Sequence, residues 1–134
     1  MNPQETAERS AAAMWAGDRA SQALGMELVL VGPGSATLRM TVREDMVNGH
    51  GMGHGGLTFA LADSAFAFAC NSYGPTTVAA GAEIRFRAPT RIGDVLVATA
   101  MERSRDDRDG VYDVTVQAGD STVATFVGRS RQIA

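Results

Sequence analysis

The chain has 134 residues and a mass of 14.0 kDa, which suits a single domain over residues 1–134 with little stability to spare, so we expect it to associate. A hydrophobic content of 45% and a charged content of 20% exclude a disordered or collagen-like chain, and a net charge of -3 argues against nucleic acid as the main partner. No apolar run reaches the ~18 residues of a membrane span, and the amino terminus lacks the pattern of a signal peptide. One cysteine cannot form an internal disulfide. We therefore expect a cytoplasmic protein without membrane contact.

The first third of the chain predicts a helix, a hairpin and a loop. Residues 4–17 have an amphipathic pattern that ends at a glycine, and residues 18–23 follow as a turn. Two strand-like runs, 26–31 and 36–42, are separated by Gly-Pro-Gly, which is a hairpin signal. The loop over residues 43–55 has glycine at alternating positions in its second half, so its backbone can approach a ligand closely.

The next segment, residues 56–71, predicts a central helix. Its apolar residues fall on almost every side, which is typical of a helix that is buried all round. The large ones are Leu57, Phe59, Leu61, Phe66 and Phe68.

After a break at Gly74 and Pro75, the remainder alternates with the period of a strand that has one wet face. The inner face of the first run is predicted to carry Val78, Ala80, Ala82, Ile84 and Phe86, and the outer face Glu83, Arg85 and Arg87. Three more runs follow at 94–105, 111–118 and 122–131, with turns at 91–93, 106–110 and 119–121. The chain thus predicts an α+β architecture, in which an antiparallel sheet of about six strands wraps a long central helix and an N-terminal helix caps it.

Several short motifs are weak. The spacing of Gly51, Gly53 and Gly56 matches a dinucleotide-binding fingerprint, but the helix is followed by successive strands rather than βα units. No GxSxG sequence supplies a serine nucleophile.

The two histidines and the cysteine are poor candidates for metal ligands or for a nucleophile. His50 and His54 lie in a glycine-rich loop, no third histidine exists, and Cys70 is far along the helix, so we expect no metal. Without a histidine partner, Cys70 is expected to behave as a small hydrophobic residue.

The junction between the loop and the central helix carries the strongest chemical signal. Gly55 and Gly56 open the helix, where free N–H groups and the helix dipole favour a developing negative charge. Asp63 lies inside the apolar helix and could be a general base for water or a nucleophile towards an acyl group. Alternatively, Asp63 is structural, bonded to a hydroxyl such as that of Ser64 or to an arginine.

The spacing of these two groups has a structural consequence. Gly55 and Asp63 are eight residues apart, so they stand ~12 Å apart along the helix axis. Reacting groups must lie within ~3 Å of the same carbonyl. If both serve one reaction, Asp63 comes from a second subunit whose central helix runs antiparallel to the first, and a twofold dimer has two such sites.

All twelve basic residues are arginine, and eight of them form three short groups. Arginine forks bind phosphates, so a group could hold a phosphorylated, nucleotide-like ligand. The alternative is that the arginines pair on solvated strand faces with Glu83, Glu102, Asp106, Asp107 and Asp109. The groups are Arg85, Arg87 and Arg91; Arg103, Arg105 and Arg108; and Arg129 and Arg131.

The sequence from Asn48 to Gly56, followed by Leu-Ala-Asp at 61–63 and Ala-Phe-Ala at 65–67, closely resembles the PaaI group of hotdog-fold acyl-CoA thioesterases. The resemblance covers nearly the whole chain. It implies a hotdog fold, a homotetramer built as a dimer of dimers, and hydrolysis of aryl-acetyl-CoA thioesters such as phenylacetyl-CoA and its ring-hydroxylated relatives. Further matches are Leu24 to Glu27, Phe86, Pro89, Gly93, Asp94 and Gly110 to Val114.

Carried over position by position, the resemblance makes Asp63 the base or nucleophile and the Gly55 N–H the group that polarises the carbonyl. Asn48 and His54 would orient the substrate or the attacking water. Coenzyme A is then part of the substrate, and no separate cofactor is expected. Arg103 and Arg105 are expected to hold its phosphates, because they alternate onto one strand face near the turn at 106–110.

Three other functions are compatible with the same features. A hotdog dehydratase or hydratase would act on acyl thioesters, but the histidine surroundings of those enzymes are not found here. A non-catalytic acyl-CoA-binding hotdog protein would bind the thioester without consuming it. A structural oligomer would do neither.

Overall fold

The computed structural model describes residues 1–134, which form one six-stranded antiparallel sheet and three α-helices. The strand order is β1-β2-β4-β5-β6-β3. This is the predicted α+β architecture, with its helices and strands in the predicted order. No helix is long and apolar enough to cross a membrane. The elements are α1 (Pro3–Gly17), α2 (Arg19–Ala23), β1 (Glu27–Gly32), β2 (Ser35–Thr41), a 3-10 turn (Glu44–Met46), α3 (Gly55–Cys70), β3 (Thr77–Phe86), β4 (Val95–Asp106), β5 (Asp109–Ala118) and β6 (Ser121–Gln132).

Helix α3 forms the centre of the core and contacts all six strands. Phe66 is 1% exposed, and its ring lies 5.6 Å from that of Tyr112 and 5.9 Å from that of Phe126. The helix can approach this closely because Gly128 has no side chain, since a Cβ there would lie 2.7 Å from the Phe66 ring. The assignment of Phe66 to the core is therefore confirmed, and Phe59 packs against the same core.

The prediction that α3 is buried on all sides is only partly correct. Gly56 is exposed, and Ala60, Asp63 and Ala67 are only partly buried. These four positions follow the helical repeat, so they form one stripe along α3 that the chain's own sheet does not cover. Hereafter we call this set the open stripe.

Helix α1 packs across β1, as expected for a cap, and its Trp15 ring lies 6.2 Å from that of Phe68 on α3. Ala7 and Ala11 are buried, and the Ser10 hydroxyl donates to the carbonyl of Asn71 over 2.7 Å. The turn predicted at 18–23 is instead the short helix α2. Asp18 starts it by accepting a hydrogen bond from the Ser21 N–H over 3.0 Å.

The predicted faces of β3 are correct for its second half and wrong at its start. Ile84 pairs with buried Phe126 and Phe86 with buried Ala124, so both lie on the inner face, and the Phe86 ring contacts the start of α3 although it is 57% exposed. Val78, also assigned to the inner face, pairs with an exposed arginine and is 42% exposed. A bulge between Ala79 and Gly81 shifts the register against β6 and changes the face, and β3 is an edge strand that pairs on one side only. Its other edge is unpaired in the single chain.

Candidate active site

The loop before α3 is organised by the side chain of Asn48. Its Oδ1 accepts hydrogen bonds from the N–H groups of His50 and Met52, over 2.9 and 3.2 Å. The Asn48 N–H also donates to the Met52 carbonyl over 2.7 Å, and Gly51 takes a φ of 75°, which favours glycine. The amide nitrogen of Asn48 has no acceptor within the chain. Asn48 therefore holds the loop with its oxygen and keeps its donor free.

At the start of α3 one backbone donor is left without a partner. The His54 Nδ1 accepts from the Gly56 N–H over 3.1 Å. The His54 carbonyl accepts from the N–H groups of Leu57 and Thr58, over 3.0 and 3.4 Å. Only the N–H of Gly55, among the first four of the helix, has no acceptor. It lies at the positive end of the helix dipole, where negative charge is favoured.

His54 is thus the N-cap of α3. Because Nδ1 accepts a hydrogen bond, the proton of the neutral ring is on Nε2, which is free to donate. The side chain is exposed, and it does not line the cleft described next.

An open cleft of about 360 Å³ lies beside Gly55. The ring of Phe86 covers the glycine, since a Cβ at Gly55 would lie 3.0 Å from the Phe86 Cζ. Gly55, with its free N–H, and Asn48 therefore both line one concave surface. The remaining lining residues are Met52, Gly53, Thr58, Arg87, Ala88, Pro89, Thr90 and Val123.

Asp63 lies on the open stripe, away from this cleft. Its carboxylate makes no hydrogen bond or ion pair within the chain, and burial raises its pKa above the usual value. The alternative in which Ser64 or an arginine holds it is not supported. The Ser64 hydroxyl bonds to that of Ser21 instead, over 2.9 Å. In one chain, the structure brings Gly55 and Asn48 together but not Asp63.

The expected shared face of Arg103 and Arg105 is not found. A bulge between Glu102 and Ser104 places the two arginines on opposite faces of β4. Arg103 pairs with Asp113, with 2.9 Å between Nε and Oδ2, and Arg105 lies over the Tyr73 ring at 3.5 Å.

Arg105 lines a second cleft of about 300 Å³, which also includes Cys70 at the far end of α3. Among the three arginine groups, Arg87 is the member that lines the cleft beside Gly55. Arg131 pairs with Asp109, as the alternative of solvated ion pairs predicts, over 3.2 Å.

The remaining reactive side chains do not form a site of their own. Cys70 is 5% exposed, and burial raises the pKa of its thiol from 9.0 to about 12. No three histidine, cysteine or carboxylate side chains converge in a way that could hold a metal ion.

Sequence reasoning missed the two threonines of the cleft, Thr58 and Thr90, among other lining residues. Thr58 follows Gly55 by three positions, so the helical repeat places both on one side of α3 and could have indicated it. Thr90 lies in an irregular segment after β3, and nothing in the sequence pattern indicates its position.

Residues 50–125 of the chain match the family model of the thioesterase superfamily. The chain belongs to this superfamily. It is 44% identical over 126 residues to the acyl-coenzyme A thioesterase PaaI of Escherichia coli (strain K12), and the match covers 93% of this chain and 90% of the relative. The resemblance to the PaaI group of thioesterases is thereby confirmed.

Solved structures of thioesterase relatives have the same fold. The E. coli PaaI protein from the phenylacetic acid degradation operon has a TM-score of 0.97 at 41% identity, covering 99% of this chain and 97% of that one. A mutant of the phenylacetic acid degradation protein PaaI from Thermus thermophilus has a TM-score of 0.84 at 36% identity, and the match covers 87% of this chain and 100% of that one. The predicted hotdog fold of this superfamily is confirmed.

Proposed function

We propose that this thioesterase hydrolyses acyl-CoA thioesters to the free acid and CoA, with an aryl-acetyl-CoA, phenylacetyl-CoA or a ring-hydroxylated relative, as its substrate. The main support is the unbonded N–H of Gly55 at the head of a cleft and at the start of a helix. The E. coli relative, named as an acyl-coenzyme A thioesterase, supports the same reaction class.

The Gly55 N–H donates a hydrogen bond to the carbonyl oxygen of the thioester. Negative charge develops on this oxygen when the carbonyl carbon is attacked, and a preoriented donor in a site with little water stabilises it. The free amide nitrogen of Asn48 is a second donor on the same surface. The exposed Nε2–H of His54, next to Gly55 in the chain, orients the substrate or water.

Asp63 of a second subunit completes the site. Its carboxylate either takes a proton from water as the water oxygen bonds to the carbonyl carbon, or attacks that carbon directly. In both routes the carbon–sulfur bond breaks and CoA leaves as the thiol after protonation. In the second route the acyl group is then held as a mixed anhydride with Asp63, and water hydrolyses this anhydride to the free acid and restores the carboxylate. Because burial already disfavours the charged form of Asp63, its carboxylate is a stronger base than an exposed one.

Two surfaces support association. The open stripe leaves Asp63 uncovered by its own chain, and the unpaired edge of β3 has exposed apolar side chains at Val78 and Phe86. A twofold axis would bring two α3 helices together antiparallel and place each Asp63 beside the partner's Gly55. Two such dimers form the proposed homotetramer.

The phosphates of CoA are held at the cleft by Arg87 rather than by Arg103. Arg87 lines the cleft and makes no ion pair, whereas Arg103 is already paired with Asp113. Arg105 remains a candidate only if the second cleft of one subunit adjoins the substrate of the other. Replacing Arg87 by alanine should raise KM with little change in kcat, and the same change at Arg103 should leave both close to wild type.

A pair of substitutions at Gly55 tests the proposal. Gly55→Pro removes the N–H, and proline is tolerated at the first helical position, after a residue that is already extended with φ -68° and ψ 128°. Gly55→Ala adds the same Cβ against Phe86 but keeps the N–H, so it is the matched control.

CoA release from phenylacetyl-CoA should fall by about 10²–10³ in Gly55→Pro relative to Gly55→Ala. Equal rates in the two variants would show that the Gly55 N–H does not take part in the reaction. Tight binding of phenylacetyl-CoA by the wild type without CoA release would favour the non-catalytic acyl-CoA-binding alternative.

A further inference from the structure

Two buried threonines whose hydroxyls have no partner in the chain line the cleft beside Gly55. Thr58 and Thr90 are each 4% exposed, and both line the cleft. The Thr90 hydroxyl is buried with no hydrogen-bond partner, and the Thr58 hydroxyl bonds to no group of the chain. The rest of the floor and walls near them is apolar, with Phe86, Pro89 and Val123.

The free hydroxyl of Thr58 is unusual for a threonine inside a helix. Such a hydroxyl usually bonds back to the carbonyl one turn earlier, which here belongs to His54. That carbonyl already accepts two N–H groups, over 3.0 and 3.4 Å. The Thr58 hydroxyl is therefore available about one turn along α3 from Gly55, a rise of about 4.5 Å that one substrate can bridge.

The Thr90 hydroxyl packs against the backbone of Gly53 and has no hydrogen-bond partner in the chain. The Gly53 N–H donates to the Thr90 carbonyl over 2.9 Å, and the Thr90 Oγ1 occupies the space that a Cβ at Gly53 would need. An unbonded buried hydroxyl costs free energy, and valine would fill the same space without that cost. A hydroxyl kept at such a position indicates a partner that arrives from outside the chain.

We propose that Thr58 and Thr90 form a polar subsite that hydrogen-bonds a neutral amide or hydroxyl group of the substrate close to the thioester. The inference rests on the proposed function and deepens it. Hydroxyls both donate and accept, and they suit uncharged polar groups. The only charged lining residue, Arg87, is exposed at the rim. An acyl-CoA offers two such groups, a hydroxyl on the acyl ring and the amides of the CoA arm.

Single substitutions test the subsite. Thr58→Val and Thr90→Val remove the hydroxyls and keep the shape, whereas Thr58→Ser keeps the hydroxyl. Thr99→Val, on the exposed face of β4, is the matched control. Thr58→Val and Thr90→Val should each raise KM for acyl-CoA about three- to tenfold. Thr58→Ser, which keeps the hydroxyl, should raise KM less than Thr58→Val, and Thr99→Val should stay close to wild type.

Melting temperature separates this role from a structural one. Because the Thr90 hydroxyl is unbonded in the free protein, Thr90→Val should melt at the same or a higher temperature while it binds substrate less well. A lower melting temperature for Thr90→Val with unchanged KM would show that the hydroxyl is structural and would overturn its role. Wild-type KM in both valine variants would overturn the whole subsite and leave the proposed hydrolysis standing.

Two substrates distinguish the source of the bonded group. If KM of the valine variants rises only for hydroxyphenylacetyl-CoA, the subsite binds the ring hydroxyl. If KM rises equally for phenylacetyl-CoA, the subsite binds an amide of the CoA arm. If the wild type hydrolyses neither ester, the proposed function fails. Calorimetry with a ketone analogue, in which a methylene replaces the thioester sulfur, then decides the subsite, because equal or absent binding by wild type and Thr58→Val would overturn it.

Discussion

At the scale of single residues, the half-buried, unpaired carboxylate of Asp63 links stability to activity. It has no partner in the chain, and burial raises its pKa, so the charged form opposes folding above that pKa. The group that destabilises the fold is also the proposed base. This combination is typical of functional sites, where a group that is needed for the reaction lowers the stability of the fold.

The first prediction concerns Asp63→Asn. The neutral amide should lower CoA release by about 10²–10⁴, because it cannot accept a proton or attack a carbonyl. It should also raise the melting temperature at neutral pH, because the buried charge is gone. Thiol release and thermal unfolding of the same preparation check both effects. A variant that keeps its activity, or that melts at a lower temperature, would contradict this account of Asp63.

The second prediction concerns the pH dependence of that difference in melting temperature. A carboxyl whose folded-state pKa is raised costs stability above that pKa, and the cost disappears as the pH falls through it. The gap in melting temperature between Asp63→Asn and wild type should therefore shrink from about pH 7 to about pH 4. Wild-type activity should fall over the same range. If the difference in melting temperature grew as the pH fell, the pKa of Asp63 would be lowered in the folded protein rather than raised, and the account would be wrong.

A third prediction concerns Cys70, whose thiol pKa is raised to about 12 by burial. Almost none of it is thiolate at neutral pH, and the thiolate is the nucleophile. The native protein should resist iodoacetamide at a pH of about 8, while the unfolded chain reacts. Cys70→Ala should keep wild-type kcat. Mass spectrometry of alkylated samples checks the first statement, and rapid labelling of the native protein would refute it.

At the scale of elements, the loop before α3 depends on one close approach between Gly53 and Thr90. A Cβ at Gly53 would collide with the Thr90 hydroxyl, whereas a Cβ at Gly49, in the same loop, would meet nothing within 4 Å. Gly53→Ala should thus cost about 1–3 kcal/mol of unfolding free energy. Gly49→Ala should stay within about 0.5 kcal/mol of wild type. Denaturant titration of both variants measures the contrast, and equal stabilities would refute it.

The long regular elements could be predicted from the sequence because their periodicity extends over many residues. The observed α3 begins one residue before the predicted start, and the hairpin of β1 and β2 lies where Gly-Pro-Gly indicated it. The five residues of α2 are too few for such a pattern. The bulges in β3 and β4 each insert one unpaired residue, which alternation does not reveal, and they account for the misplaced faces of Val78 and Arg105.

The candidate site was predictable where chemistry and local structure coincide. The adjacent sequence alone indicates a chemical role for Gly55, at a helix start, and for Asp63, in an apolar helix. Phe86 and Thr90 reach the cleft only because the end of β3 and the segment after it pack against Gly55 and Gly53, which are tertiary contacts. The partners of the arginines could not be predicted from the sequence either, because Arg103 on β4 pairs with Asp113 on the neighbouring strand β5.

At the scale of the whole molecule, the arrangement makes association part of the proposed chemistry. The cleft, the free N–H of Gly55 and Asn48 belong to one chain, while the open stripe presents Asp63 elsewhere. A rise of ~1.5 Å per residue keeps Gly55 and Asp63 apart in any single α3. The proposed reaction therefore requires two chains, and dissociation should abolish it.

Complementation between two inactive variants tests this claim most directly. Gly55→Pro and Asp63→Asn proteins are mixed, unfolded and refolded together, and CoA release is compared with that of each variant alone. If Asp63 acts on the partner's Gly55, each hybrid dimer has one intact site and one doubly defective site, so an equal mixture should recover up to about one quarter of wild-type activity. If both residues act within one chain, every hybrid site has one defect. A mixture shown to contain hybrid dimers but no more active than its components would contradict the shared site.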